Sequence, residues 1–228
     1  MMKQMKHVLI TGGSDGLGKL TACKLKAAGF RVTILADKED KLKAAAQEIG
    51  CDYVLADVSD AAAVKVAFQK AGDIDILINN AGLWIQGELE ENDPDRIKRV
   101  MEVNALGPIY CTQAVIPQMK KRKTGRIINI VSGAGLNAKA ERAPYHASKW
   151  ALTGFTKSMQ AELKSFGIAV DGLYPGAMSH TELFSAAGNT RDMSQAMDAA
   201  LFADTIVYVC QLPPDIVASE FAIQSLSY

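Results

Sequence analysis

The chain has 228 residues, 49% hydrophobic and 22% charged, an ordinary globular composition long enough to bury a core without disulfide or metal staples. Lys plus Arg and Asp plus Glu number 25 each, so no global charge recruits nucleic acid or an anionic membrane surface. Cys23, Cys51, Cys111 and Cys210 are widely spaced, which suits reduced thiols and offers no metal-ligand spacing.

The N-terminal "MMKQMKHVLITGG" has too short an apolar run for a signal peptide or a membrane span, and a soluble cytoplasmic protein is expected. "HVLIT" (7–11) predicts a strand, with His7 exposed at its start, and residues 16–28 a helix. "RVTILA" (31–36), "DYVLA" (52–56) and "DILIN" (75–79) predict strands, separated by helices over 39–49 and 60–71. Asp93 and Pro94 read as a cap and first helical position, opening one long helix to about Lys121. "KKRK" (120–123) is then a solvated helix end whose cations suit the dipole. "RIINIV" (126–131) is a strand, Pro144 opens a second long helix to about Phe166, and "IAVDGLY" (168–174) is a strand. A helix near 201–211 and a last strand, "EFAIQSL", follow.

Near-continuous apolar strands alternating with helices predict a doubly wound α/β domain over 1–228, a mostly parallel seven-stranded sheet with helices on both faces. The polar stretch 176–198 breaks the alternation. It is expected above the carboxyl ends of the strands, as a substrate lid or an ordinary excursion.

"TGGSDGLG" (11–18) joins the first strand to the first helix. Gly12 permits the tight turn, Gly16 lets a pyrophosphate approach the backbone, and Gly18 allows close packing, while the helix N-terminus offers unpaired N–H groups. The more general G-x-G-x-x-G is absent. In "APYHASKW" (143–150), Tyr145 and Lys149 are four apart and share one helix face. A cation there lowers the phenol's pKa from about 10. Alone, such a pair is more often an ordinary helix surface.

"TGGSDGLG", "NNAG" (79–82) and "YHASK" (145–149), in this order, resemble the short-chain dehydrogenase/reductase family over nearly the whole chain. Ser132, 13 residues before Tyr145, Asn104 in "VNALG", and "YPGAM" (174–178) match further motifs. The resemblance implies a Rossmann fold and hydride transfer between a nicotinamide and a carbonyl or alcohol. Tyr145 would be general acid and base, Lys149 would tune it and hold the ribose, Ser132 would bind the substrate oxygen, and Asn104 would hold a relay water. Cofactor contacts would come from Gly12, Ser14, Asp15, Gly16, Leu17 and Gly18, from Asp57, Val58 and Asn80, and from Tyr145, Lys149, Met178 and Thr181. His146 is read as structural or exposed. Trp84, Leu136, Asn137, His180 and Phe184 would wall the substrate pocket, although Trp84 and Leu136 equally suit a core.

After the second strand, where an acidic group accepts from a ribose 2′-hydroxyl, Ala36 fills the commonest acidic position of the family that the chain resembles and Asp37 the next, which holds Asp in one NAD-using group. With Asp15, Asp37 would repel the 2′-phosphate, against Lys38, so NAD is favoured over NADP. The resemblance also implies a homodimer or homotetramer through the two long helices, with Trp150 and Phe155 at the contact. No metal, nucleic acid or membrane partner is expected. The alternatives are a non-catalytic nucleotide-sensing or scaffold protein on this fold, and a lyase or epimerase using bound nicotinamide.

Overall fold

The computed structural model describes residues 5–179, 193 and 195–226. Among these, seven strands form one parallel sheet: β1 (His7–Thr11), β2 (Arg31–Ala36), β3 (Asp52–Leu55), β4 (Ile76–Asn79), β5 (Gly125–Ile130), β6 (Ile168–Pro175) and β9 (Phe221–Ile223). Their order is β3-β2-β1-β4-β5-β6-β9. The chain runs outward from β1 to β3, then returns to place β4 on the other side of β1. Loops after β1 and β4 therefore diverge to opposite faces and leave a crevice at their carboxyl ends.

Strand alternation distributes the core between two faces. Val8, Ile10, Ile76, Ile78 and Ile128 point to one face, where they meet α1 (Gly16–Ala27), α2 (Glu39–Ile49) and α7 (Ala199–Gln211) through Leu25, Leu42, Phe202 and Ile206. Leu9, Leu35, Leu77 and Ile127 point to the other. They pack against Phe68 of α3 (Ala61–Ala71), Val115 and Met119 of α5 (Gly107–Arg122), and Leu163 of α6 (Ala143–Leu163). Both faces being covered explains why the strands read as unbroken apolar runs rather than alternating ones.

The predicted long helix is divided. Asp93 caps α4 (Pro94–Met101) by accepting from the Asp95 N–H at 2.9 Å. A π-turn over Glu102–Leu106 then separates α4 from α5. Such turns are rare and gather at functional sites; this one carries Asn104. The last strand is also shorter than expected, because only Phe221–Ile223 pairs with β6.

Two further differences concern the termini of elements. His7 is buried, not exposed. Its Nδ1 lies 2.6 Å from the Asp73 carbonyl and its Nε2 2.8 Å from Thr33 Oγ1. The carbonyl can only accept, so Nδ1 carries the proton and Nε2 accepts from the threonine. The 176–198 stretch falls largely outside the described residues, and the lid expectation with it. Its ends, β7 (Met178–Ser179) and β8 (Met197–Asp198), pair as a two-stranded ribbon.

Candidate active site

The crevice at the carboxyl ends of β1 and β4 opens into a cleft of about 540 Å³, a size typical of small-ligand sites. Gly12, Ser14, Asp15, Gly16, Leu17 and Gly18 line one end, with Asp37, Asp57, Val58 and Asn80. Ser132, Tyr145, Lys149 and Met178 line the other. A larger groove of about 730 Å³ between α3 and α5 contains none of these residues.

Gly12 has φ +65 and Gly18 packs so tightly that a Cβ there would lie 2.1 Å from the Gly12 carbonyl oxygen. The loop thus folds onto the start of α1, whose first residues, Gly16, Leu17 and Gly18, line the cleft, and a helix N-terminus favours an anion. Asn80 holds the loop in place. Its amide donates to the carbonyls of Thr11 at 2.9 Å and Gly12 at 3.2 Å. This cradle, the helix end and the volume of the cleft fit a dinucleotide.

Asp15 is engaged on both oxygens. Oδ1 accepts from the Gly16 N–H at 2.7 Å, capping α1, and Oδ2 lies 3.5 Å from the Lys41 ammonium. Its charge is therefore partly offset by Lys41, through an exposed contact that water screens. Asp37 stands exposed at the end of β2. Asp57 is also engaged, accepting from Ser59 with Oδ1 and from Arg99 at 2.6 Å with Oδ2. Burial pushes its pKa up, but the Arg99 and Ser59 hydrogen bonds outweigh this and hold it below the usual range.

At the other end, α6 presents Tyr145 and Lys149 from one face, both buried. The Lys149 ammonium lies 5.9 Å from the centre of the phenol ring and donates to the Ile130 carbonyl at 3.2 Å. The expected depression of the Tyr145 pKa is not what this geometry gives. Burial pushes the phenol up to about 12, while the Ser132 hydrogen bond and the Arg142 charge pull against that rise. Burial also pushes Lys149 down, to about 8. Desolvation disfavours both charged forms and dominates because the helix face is packed against the sheet.

Ser132 follows β5, with its backbone at φ 141 and ψ 154. Its Oγ accepts from the Ala134 N–H at 3.1 Å. Asn104 lies deeper and is fully buried. Its carboxamide grips the backbone of Leu83 from both ends, accepting from the N–H at 2.7 Å and donating to the carbonyl at 2.8 Å, with Ser148 Oγ at 3.1 Å. Protein groups thus occupy both ends of the Asn104 amide, which ties the "NNAG" turn to the π-turn and α6.

Trp84 is brought to the cleft, whereas Leu136 packs with Val131, Leu152 and Tyr174, and Asn137 is exposed. Thr181, His180 and Phe184 lie outside the described residues. The sequence reading missed Arg142, which lies over Trp84 at 5.3 Å, and the Arg99 partner of Asp57. Arg142 stands only three residues before Tyr145, so it precedes Tyr145 by about one helical turn. Nothing in the local sequence pairs Arg99 with Asp57.

The family model for the short chain dehydrogenases matches residues 6–192. A 3-dehydrosphinganine reductase of Danio rerio is 38% identical over 183 residues, covering 74% of this chain and 55% of that protein. The chain thus spans about half the length of that relative. An uncharacterized oxidoreductase of Staphylococcus saprophyticus is 34% identical over 239 residues, covering 97% of this chain and 96% of its own. Among solved structures, an alcohol dehydrogenase from Thermococcus sibiricus complexed with 5-hydroxy-NADP superposes with a TM-score of 0.89 at 26% identity, covering 99% and 98% of the two chains. With its parallel sheet, its glycine turn and its Tyr–Lys helix, this chain belongs to the short-chain dehydrogenase family.

Proposed function

We propose that this protein is an NAD(P)-dependent oxidoreductase that interconverts a secondary alcohol and a ketone, with Tyr145 as the general acid and base. The observation that carries this reading is the convergence of Tyr145, Lys149 and Ser132 on one end of a cleft whose other end carries the glycine turn. A bound nicotinamide would supply or accept the hydride at the substrate carbon. The chain's own residues manage the proton and the charge. In reduction, the Tyr145 hydroxyl donates its proton to the carbonyl oxygen as the C–H bond forms. The Ser132 hydroxyl hydrogen-bonds to the same oxygen, where negative charge develops. In oxidation the alcohol proton returns to Tyr145. A positioned acid or base of this kind contributes about 10²–10⁴-fold. Lys149, whose ammonium lies 5.9 Å from the centre of the phenol ring, would stabilise the phenolate and hold a ribose hydroxyl. Asn104 fixes the turn after β4 that borders this end. Trp84 walls the substrate side.

The glycine loop would hold the diphosphate at the start of α1, through the Leu17 N–H beside the Gly16 N–H that Asp15 already caps. Asp57, Val58 and Asn80 would border the adenosine. We assign NAD as the preferred cofactor on Asp37, the exposed carboxylate at the end of β2. Asp15 supports that choice less, because Lys41 partly offsets its charge. Association of copies through α5 and α6 accords with Trp150, which is 51% exposed on α6.

Fluorescence titration with NADH and NADPH tests the cofactor site. A panel of alcohols and carbonyls, followed by nicotinamide absorbance, tests the reaction. Turnover abolished by Tyr145→Phe supports the reading. Nicotinamide binding without turnover on any substrate moves the non-catalytic alternative to the front.

A further inference from the structure

Ser132 holds its backbone at φ 141, a strained region for a residue with a side chain, which persists only where the surroundings over-determine it. The turn it opens is pinned internally. The Gly135 N–H donates to the Ser132 carbonyl at 2.9 Å, and the Leu136 and Asn137 N–H groups both donate to the Gly133 carbonyl. Two side chains of α6 reach its backbone carbonyls from outside. Thr153 shares its hydroxyl hydrogen between the Gly135 carbonyl and its own helix, both at 3.1 Å. His146 is committed wholly to the turn, with Nδ1 at 3.0 Å from the Ala134 carbonyl and 2.7 Å from the Asn137 carbonyl.

Both of those oxygens can only accept, so Nδ1 carries a proton, and the neutral ring is the Nδ1–H tautomer. His146 is buried, and one of its two carbonyl partners belongs to Ala134, whose own N–H donates to the Ser132 hydroxyl. The rings of Tyr145 and His146 stand 88° apart at 6.3 Å. Consecutive residues on one helix therefore face different ways, the phenol toward the cleft and the imidazole toward the serine turn.

We infer that His146 is a positioning residue for Ser132: one N–H, shared by two carbonyls, fixes the Ser132–Asn137 turn to the helix that carries Tyr145. The same rigid element then sets both groups that would touch the substrate oxygen. A lost buried donor would leave two carbonyls under-satisfied and release the strained serine.

Two measurements test this. The first needs no substrate. In ¹⁵N-labelled protein near neutral pH, the His146 ring, assigned by its loss in His146→Asn, is expected to show a protonated Nδ1 and a bare Nε2. The opposite tautomer overturns the inference. The second rests on the oxidoreductase reading. His146→Leu is expected to lower kcat by about tenfold with NADH affinity within about twofold, and His146→Asn, whose amide replaces the Nδ1 donor, to recover most of it. In a Ser132→Ala background, His146→Leu is expected to add little, because both changes remove one function. An equal loss in both backgrounds, or no rescue by Asn, sinks the inference. If His146→Leu fails to fold, His146→Gln takes its place, since its longer amide misses the two carbonyls. If the wild-type protein turns over nothing, the oxidoreductase reading falls, and the tautomer still decides where His146 acts.

Discussion

The Trp84 and Tyr145 rings pack with their centroids 4.4 Å apart and their planes inclined by 58°. The indole thus braces the phenol directly, and Arg142 lies over that indole in turn. Aromatic pairs of this geometry are worth about 0.5–1.5 kcal/mol beyond area burial. Their greater use here is to hold the Tyr145 hydroxyl in one place.

Trp84→Ala is therefore expected to lower kcat by about tenfold or more, because a misplaced acid loses its oriented proton transfer. Trp84→Phe keeps an aromatic brace and is expected to stay within about threefold. Steady-state kinetics on any substrate found in the panel check this. An unchanged kcat in Trp84→Ala would show that the brace is dispensable.

Lys149 is expected to weaken the fold it serves. Its pKa is pushed from 10.5 to about 8 by burial, which corresponds to about 3 kcal/mol against the charged form. The folded state binds fewer protons than the unfolded chain between those two values. Stability from this group therefore rises with pH from about 8 to 10.5 and is lowest below 8. Lys149→Met is expected to match or exceed the wild-type urea midpoint at pH 7 while abolishing turnover. A variant less stable than wild type would mean that the Ile130 hydrogen bond outweighs the desolvation.

Cofactor choice is expected to turn on Asp37. Asp37→Asn removes the repulsion of a 2′-phosphate and is expected to narrow the NADH-over-NADPH ratio of dissociation constants by about tenfold, the equivalent of about 1.4 kcal/mol. Asp15→Asn is expected to change that ratio less, because Lys41 already partly offsets Asp15. Parallel fluorescence titrations measure both, and a larger effect at Asp15 would reverse the assignment.

The Arg126–Asp171 pair is buried, at 2.7 Å. Arg126 also donates to the carbonyls of Pro213 and Ile216, and Asp171 accepts from the Ala218 N–H. Together they tie the connection between α7 and β9 to the sheet. Removing one partner strands a buried charge, and Arg126→Met is expected to destabilise by about 3 kcal/mol. Urea unfolding reads the loss, and limited proteolysis is expected to cut within residues 213–220 before the rest. Simultaneous apolar replacement of both partners is expected to recover part of it, as buried pairs often allow.

Element order and the two-faced core were legible along the chain because strand and helix periodicities are local properties. So were the glycine turn, the Asp93 cap and the Tyr145–Lys149 face, since each depends on residues within a few positions. The tertiary structure decided what depends on distant partners. His7 is buried because Asp73 and Thr33 receive it. Asp15 is partly offset because Lys41, 26 residues away, folds back beside the loop. The long helix divides at Asn104, whose amide is held by Leu83 and Ser148 across three elements. Above all, the phenol expected to ionise readily is pushed up to about 12. Spacing places a cation near Tyr145, but desolvation is a property of the packed interior, and here it outweighs the Ser132 hydrogen bond and the Arg142 charge that oppose it.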